Sequence, residues 1–446
     1  MVALNKIFHP NHLLTVFLIV AGLLSFSQDT IYIDPSYQGN EQEDGSVRNP
    51  FNSWYDLHWN DTSYMNGKVF LQKCGTVFYA GDGFSVKEGR SILFSSYGRG
   101  EKPEIVASCK SHVFDFRNSV AITFSNFKIC GDTGNKGVAL PVSCVRFFGK
   151  NEKNGKNSIV VENCDFSNAI WGIRLMYGSG ATVKNCRIHN TGDDGIFAES
   201  WGDLMIVDNR IFEVNQKWFY AGHTENEAPG DCIQLSKKCG DFIVRNNYLD
   251  RSGTGNKFCF IHTGNPAFGI IENNLFKSPD PEGEGGACLF LGAGDSVIIR
   301  GNTFSGELQG IYSHGKAFVC YNVFVDLPLG INSIDESAIL FNNVFYSCKS
   351  SVKGNSVINN CIFYKSGVPS NATDSGYNCY WETTQSDENN SVFADPRFVD
   401  ANRGDFHLDE TSPCIDKGTD VGLKYDKDGN PVPEGAGVDI GAYEVK

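Results

Sequence analysis

Residues 159–212 read IVVENCDFSNAIWGIRLMYGSGATVKNCRIHNTGDDGIFAESWGDLMIVDNRIF, and one arrangement begins three times within them. Each time an apolar, strand-like run leads to an asparagine, a second apolar pair follows, and a third short apolar run comes after a turn. The three asparagines, Asn163, Asn185 and Asn209, are 22 and 24 residues apart. A period of this length with several short strands per repeat is typical of a solenoid, whose coils stack on one another.

The arrangement continues on both sides of this stretch. Asparagine recurs at Asn126, Asn163, Asn185, Asn209, Asn247, Asn274, Asn302, Asn322, Asn343 and Asn360. A second marker keeps the same register at Gly172-Ile173, Gly195-Ile196, Gly310-Ile311 and Gly330-Ile331, with Asp231-Cys232-Ile233 as the equivalent. Because asparagine tolerates the left-handed backbone and bonds locally, we expect its side chains to form a hydrogen-bonded ladder from coil to coil.

Other repeat folds fit the sequence less well. Leucine-rich repeats require a leucine consensus that this chain lacks, and a propeller blade of four strands needs roughly 40 residues. The sequence therefore predicts an all-β fold, a single right-handed parallel β-helix in which inward Val, Ile, Phe and Cys stack on their counterparts. We expect an N-terminal cap at residues 28–68, coils at residues 69–365 and a C-terminal cap at residues 366–446.

The N-terminus has the features of an export signal. A positive start at Lys6 precedes an apolar run at residues 13–24 and a serine-bearing end at Ser25 and Ser27. The run is too short to cross a bilayer as a helix, which takes roughly 20 residues. We therefore expect a cleaved signal peptide at residues 1–27 and a protein secreted to the periplasm or cell surface, without a membrane span.

Fifteen cysteines are many for an exported chain. An oxidising compartment permits disulfide bonds, and Cys130 and Cys144 form a plausible loop-closing pair. Other cysteines recur at equivalent places in successive repeats, Cys164 with Cys186 and Cys232 with Cys259. For these the sequence favours packing as small buried hydrophobic residues.

The net charge of −14 argues against general nucleic-acid binding. The segment from Gln234 to His262 is an exception, because it carries five cations against only Asp241 and Asp250. A local basic patch on an acidic protein is typical of a binding site for an anion.

Four stretches resemble known proteins. The entry IYIDPSYQGNEQEDGSVRNPF and the ending SPCIDKG…VDIGAYE resemble exported bacterial β-helix proteins that act on polysaccharides. The central WFYAGHTENEAPGDCIQLS and NNYLDRSGTGNKFCFIHTG are similar to β-helical alginate lyases, with polysaccharide lyase family 31 the closest match. The resemblance implies cleavage of mannuronate-rich alginate by a tyrosine and a lysine, here Tyr220 and Lys257, without a required metal or other cofactor.

The chemistry of uronate cleavage explains these residue types. A lyase abstracts the weakly acidic C5 proton beside a carboxylate and expels the C4 oxygen, so it needs a carboxylate neutraliser, a base and an acid. Lys257 suits the base if neighbouring cations or burial lower its pKa, and Tyr220 suits the acid, although these two roles are interchangeable. Arg251 is the expected carboxylate partner. The expected substrate-binding residues are Arg251, His223, Gln234, His262 and Arg245, with Gln234 pointing outward because it follows the inward Ile233.

Two alternatives use other features. Asp193, Asp194 and Asp231 could form the acid–base set of an inverting glycoside hydrolase or hold Ca²⁺, since Asp194 and Asp231 occupy equivalent places in adjacent coils. The same aspartates also fit a purely structural role as turn caps. A non-catalytic, carbohydrate-binding solenoid is the third reading. In each case we expect a monomer whose partner is an anionic polysaccharide.

Overall fold

The computed structural model describes residues 29–39, 41–134, 140–149, 157–214, 230–251, 259–264, 267–278, 286–335, 337–384 and 388–445. The expected signal peptide lies outside the described residues. Among these residues, helix is confined to 3₁₀ turns at Trp54–Asp56 and Ala401–Arg403 and to one short α-helix, α1 (Thr62–Met65). The Asp61 side chain begins α1 by accepting hydrogen bonds from the backbone N–H groups of Ser63 and Tyr64. None of the described helices is long and apolar enough to cross a membrane.

The remaining elements are short strands. The first nineteen are β1 (Thr30–Ile33), β2 (Val69–Lys73), β3 (Val77–Ala80), β4 (Phe84–Lys87), β5 (Arg90–Tyr97), β6 (Glu104–Ala107), β7 (His112–Arg117), β8 (Val120–Ser125), β9 (Lys128–Gly131), β10 (Ser143–Phe148), β11 (Ile159–Glu162), β12 (Asp165–Ser167), β13 (Trp171–Lys184), β14 (Arg187–His189), β15 (Ile196–Val207), β16 (Arg210–Phe212), β17 (Ile233–Ser236), β18 (Gly240–Arg245) and β19 (Tyr248–Asp250). The others are β20 (Ile261–Thr263), β21 (Phe268–Glu272), β22 (Leu275–Ser278), β23 (Ala287–Leu291), β24 (Ser296–Arg300), β25 (Thr303–Gly306), β26 (Gln309–Ser313), β27 (Lys316–Cys320), β28 (Val323–Val325), β29 (Ile331–Ser333), β30 (Ala338–Phe341), β31 (Val344–Tyr346), β32 (Val352–Lys353), β33 (Ser356–Asn359), β34 (Ile362–Tyr364), β35 (Ala372–Gly376), β36 (Cys379–Trp381), β37 (Phe398–Asp400) and β38 (Asp405–Leu408).

Strands β1 to β36 form three columns that run along the molecule, while β37 and β38 form a separate antiparallel pair. The first column contains β4, β7, β10, β17, β20, β23, β26, β29 and β32, and the second contains β5, β8, β11, β18, β21, β24, β27, β30 and β33. The long strands β13 and β15 bend through both columns, and the third column runs from β3 to β36 as a separate sheet. Every pairing within a column is parallel. The predicted parallel β-helix is therefore confirmed.

The coil register follows the apolar markers of the sequence. Ile173, Ile196 and Ile233 are paired from coil to coil in the first column, as are Ile311 and Ile331 further along. In the third column, six aromatic rings from Phe276 to Tyr380 stack with centroids 4.6–5.2 Å apart. This spacing matches the separation of neighbouring parallel strands, so each coil buries its core against the next.

The asparagine ladder is confirmed, but the expected register was wrong in part. Buried side chains are linked from coil to coil by hydrogen bonds of about 3 Å through Asn209, Asn247, Asn274, Asn302, Asn322 and Asn343. By contrast, Asn126, Asn163, Asn185 and Asn360 have positive φ and occupy the neighbouring left-handed position. Cys164, Cys186 and Cys361, which follow the last three of these asparagines, take the ladder position in their coils. Asparagine thus occupies two adjacent positions of a coil. At one position its side-chain amide joins the ladder, and at the other its backbone adopts the left-handed conformation.

The cysteine predictions need two corrections. All fifteen cysteines are free thiols, so Cys130 and Cys144 form no bridge. The Cys144 thiol donates instead to the carbonyl of Ile129. Cys164 and Cys186 are in register, but the strand pairing places Cys232 beside Phe260 and therefore one residue out of register with Cys259. The thiols are almost all buried and act as core side chains.

Strands β35 and β36 add another coil after residue 365, and the chain then folds back along the helix. Asn342 and Asn360 donate side-chain hydrogen bonds to the carbonyls of Asp439 and Thr419. Lys427 is half-buried and donates to the carbonyl of Gly301. This C-terminal segment thus covers the left-handed turns of several coils at once.

The ladder gives a first testable prediction. Asn302→Ala should lower the free energy of unfolding by about 2–4 kcal/mol, because it breaks buried amide bonds to Asn274 and Asn322 together. Asn389→Ala, at an exposed site, should change it by less than about 0.5 kcal/mol. Urea denaturation followed by circular dichroism measures both, and equal midpoints for the two variants would contradict the role of the ladder.

The C-terminal segment gives a second prediction. Burial, followed by the neighbouring Asp439, raises the pKa of Glu444 to about 7. A carboxyl group whose pKa is higher in the folded state penalises folding once pH exceeds its unfolded pKa, and the penalty is complete above about pH 7. Glu444→Gln should therefore raise the melting temperature at pH 8 and leave it nearly unchanged at pH 4.5. A difference that does not depend on pH would contradict this assignment.

Candidate functional site

One row of outward-facing side chains runs along the first column, from coil to coil, and differs in composition from the rest of the surface. This central row contains, from coil to coil in paired register, Asp115, Arg146, Arg174, Phe197, Gln234, His262, Phe290, Tyr312 and Asn332. Neighbouring strands are about 4.8 Å apart, so these residues form a continuous track of cationic, aromatic and amide groups. A track of this kind suits an extended ligand that lies across the coils.

Gln234 and His262 are adjacent in the central row, each half-buried on its outer face. Strand alternation thus points Gln234 outward as the sequence predicts. The His262 Nδ1 atom lies 3.4 Å from Asp231 Oδ2, and its ring packs edge-on against Phe290 with centroids 4.7 Å apart. The carboxylate and the aromatic ring therefore fix the orientation of His262.

Asp194 and Asp231 lie in adjacent coils, as expected, but beneath the surface. Asp194 accepts hydrogen bonds from the Asp231 backbone N–H at 2.7 Å and the Trp171 indole N–H at 3.2 Å, and it is 1% exposed. Asp231 accepts from the Cys259 backbone N–H at 2.9 Å. These bonds tie each coil to the next, so the described geometry fits the capping role better than direct contact with a ligand.

The electrostatics of this pair agree with its burial. Burial first, and then the neighbouring carboxylates of Asp193 and Asp231, raise the pKa of Asp194 well above its ordinary value. Burial also raises the pKa of Asp231, although His262 and Arg251 oppose that shift. Asp193 is half-buried beside the pair. Among the described residues, no three His, Cys, Asp or Glu side chains converge as metal ligands.

The two predicted arginines lie in different places. Arg251 is 3% exposed in the turn after β19, with its guanidinium 5.9 Å from the Phe260 ring centroid. The positive charge of Arg251 opposes the rise in the pKa of the buried Asp231. Arg251 therefore lies near this carboxyl group, behind the central row. Arg245 lies at the end of β18 in the second column, where it pairs with Glu272. The structure thus does not bring Arg245 together with Gln234 and His262.

Tyr220, His223 and Lys257 lie outside the described residues. Segment 215–229 connects β16 to β17, and segment 252–258 connects β19 to β20. In sequence, Tyr220 and His223 precede β17, which carries Gln234, and Lys257 precedes β20, which carries His262.

Sequence reasoning missed the N-terminal half of the central row. Arg174, Arg146 and Trp171 received no role, although Arg174 follows the marker Ile173 directly, as Gln234 follows Ile233. Reading the residue after each marker isoleucine would have found Arg174, Phe197, Tyr312 and Asn332. The missing step was to follow one outward position through all the coils.

A second missed cluster borders the row. The buried Glu199 accepts hydrogen bonds from the Tyr177 hydroxyl and Lys237 Nζ, both at 2.8 Å. Burial raises the pKa of Glu199, but these two bonds outweigh it and hold the pKa below its ordinary value. Glu199 is therefore an ionised carboxylate at neutral pH that fixes a tyrosine and a lysine next to Arg174.

Comparison with known proteins identifies the architecture. A sequence profile described as "right handed beta helix region" matches residues 111–304. The fold is a right-handed parallel β-helix. Among solved structures, pectate lyase Pel9A is similar at 14% identity over 95% of this chain and 98% of that protein, with a TM-score of 0.50.

Two other solved structures are similar with lower TM-scores. XylC in complex with xylose has 10% identity over 94% of this chain and 99% of that protein, with a TM-score of 0.48. The A-module of the mannuronan C-5 epimerase AlgE4 from Azotobacter vinelandii has 10% identity over 73% and 91%, with a TM-score of 0.39. No curated protein matches the sequence. At these identities the likeness concerns the fold alone.

The site geometry predicts different effects for buried and surface residues of this β-helix. Asp194→Ala should lower the free energy of unfolding by about 1–3 kcal/mol, because it leaves the buried Asp231 N–H and the Trp171 indole N–H without acceptors. Gln234→Ala, on the outer face, should change it by less than about 0.5 kcal/mol. Chemical denaturation measures the free energy of unfolding of both variants. An Asp194→Ala protein as stable as the wild type would show that these hydrogen bonds do not stabilise the fold.

Proposed function

We propose that the protein is an exported polysaccharide lyase that cleaves a polyuronate, preferably mannuronate-rich alginate, by β-elimination. The observation that carries the proposal is the central row itself. In a chain of net charge −14, it places Arg174, Gln234 and His262 on one outer face. In sequence, Tyr220 and Lys257 precede β17 and β20, the strands that carry Gln234 and His262.

The row matches what a sugar acid requires. A uronate carries one carboxylate per ring, and its C5 proton becomes removable only when that charge is balanced. Guanidinium groups bind carboxylates through two parallel hydrogen bonds, while amide and imidazole groups bind hydroxyl oxygens. Aromatic rings such as Phe290 and Tyr312, stacked 5.4 Å apart, offer apolar surface to the faces of sugar rings.

The acid–base pair is assigned to Lys257 and Tyr220. Lys257 takes the C5 proton if cationic neighbours lower its pKa, and Tyr220 donates a proton to the departing C4 oxygen. Arg251 lies behind the row and adds positive potential near Asp231. His262, oriented by Asp231, is suited to hold a sugar hydroxyl.

The hydrolase alternative has weaker support from the described geometry. Both oxygens of Asp194 accept hydrogen bonds from the protein, and the side chain is buried. An inverting hydrolase needs two accessible carboxyl groups with a water molecule between them. A binding solenoid without turnover is the remaining alternative, and it differs from the lyase in forming no product.

One assay separates these functions. With alginate, pectate and glucuronan as substrates, the wild type should release an unsaturated product that absorbs ultraviolet light, most rapidly from alginate. Lys257→Ala and Tyr220→Phe should each reduce kcat by at least about 100-fold, the usual contribution of a general acid or base. Lys277→Ala and Tyr248→Phe, on the third column, are matched controls that should retain wild-type rates.

The outcomes are distinct. New reducing ends without ultraviolet absorbance would indicate a hydrolase, and binding without any product would indicate a carbohydrate-binding protein. Wild-type rates in both Lys257→Ala and Tyr220→Phe would reject this assignment of the acid–base pair.

A further inference from the structure

Arg174 is set apart from the other arginines of the central face. Its guanidinium lies 4.3 Å from the Trp171 ring centroid and 5.4 Å from that of Phe197. The Nε atom is buried and has no hydrogen-bond partner among the described residues. Within that part of the chain, the Arg174 side chain also forms no ion pair.

Three other arginines of the first two columns pair with carboxylates. Arg146, one coil away, binds Asp115 through two hydrogen bonds of 2.8 Å. Arg245 and Arg300 share Glu272 in the second column. Since a half-buried guanidinium loses hydration without gaining an acceptor, its free energy improves when an anion binds. Arg174 has the properties of a receptor for such an anion.

The position of Arg174 is fixed before any ligand arrives. The Trp171 ring beneath it is held by a hydrogen bond from its indole N–H to the buried Asp194. The stacked arrangement fixes the plane of the guanidinium and leaves its fork available. Three carboxylates attract Arg174, those of Glu199, Asp193 and Asp194. Glu199 is already occupied by Tyr177 and Lys237, and Asp194 by the Asp231 N–H and the Trp171 indole. A bound carboxylate would therefore meet a preorganised partner.

We infer that Arg174 binds the carboxylate of a uronate residue in a separate subsite of the same groove, at a sugar other than the one being cleaved. This inference rests on the proposed polyuronate substrate. Arg174 is three coils from His262, or roughly 14 Å, which is more than one monosaccharide spans. Phe197 lies between Arg174 and Gln234 and offers its ring to the intervening sugar. The polysaccharide would thus run along the helix axis.

Binding and turnover of four proteins test the inference. The probes are a mannuronate oligosaccharide and its methyl ester, which has the same shape without the charge, and affinity is measured by calorimetry. Arg174→Met keeps an apolar stem over Trp171 and should weaken binding of the acid about 10- to 100-fold, the loss expected for a charged hydrogen-bonded pair. Binding of the ester should not change. Arg174→Lys should be intermediate, because lysine keeps the charge but not the fork.

Arg210→Met is the matched control. Arg210 also lies over aromatic rings, 4.9 Å from Phe212 and 5.2 Å from Tyr248, but on the third column. Its removal should leave both affinities at wild-type values. Melting temperatures of all variants establish that they are folded. If Arg174→Met does not fold, the affinity of Arg174→Lys for the acid tests the inference instead.

The two proposals can fail separately. If the wild type releases no unsaturated product but Arg174→Met still loses affinity only for the acid, the subsite stands and the lyase is rejected. If product forms and Arg174→Met or Arg174→Lys binds the acid as the wild type does, the subsite is rejected and the lyase stands. A wild type that binds acid and ester equally also overturns the subsite.

Discussion

The parallel register of the coils is the constraint on which the rest of this structure depends. Because each strand pairs with the equivalent strand of the next coil, a residue lies about 4.8 Å above its counterpart. A favourable pair is then repeated along the helix. The buried amides from Asn209 to Asn343 and the stacked rings from Phe276 to Tyr380 are two such repeats. The amides find hydrogen-bond partners and the rings find stacking partners only when the strands keep this register.

The same register builds the candidate site. Gln234, His262 and Arg174 are far apart in sequence but share one outward position of the first column. The buried carboxylates of Asp194 and Asp231 lie one layer deeper, where they hold Trp171 and His262 in place. An acidic protein thereby presents a local cationic and aromatic track, supported from below by its own carboxylates. Specificity for an anionic chain would follow from this two-layer arrangement.

The sequence predicts the fold well because apolar periodicity is a local property. The marker isoleucines identify the first column correctly, and Gln234 points outward as strand alternation requires. The positions of the asparagines are harder to predict, because the same residue type suits both the inward ladder at Asn209 and the left-handed turn at Asn163. Only the pairing of strands separates these two positions. For the same reason the sequence could not show that Cys130 and Cys144 remain apart.

The site was predicted less completely, because its members meet only through the stacking of coils. Arg251 and Arg245 are near the predicted lysine in sequence, yet one lies behind the row and the other in the second column. Arg174, remote in sequence, lies on the row itself. Charge density along the chain therefore selects neighbours in sequence, whereas strand pairing brings together neighbours in space. Following one position through every coil recovers them.

The most direct test is a crystal structure of Lys257→Ala with a bound mannuronate oligosaccharide. The proposed site predicts electron density for the sugar chain along the first column, from Arg174 past Gln234 to His262, with a carboxylate on the Arg174 guanidinium. An oligosaccharide bound on the second or third column, away from this row, would contradict the account.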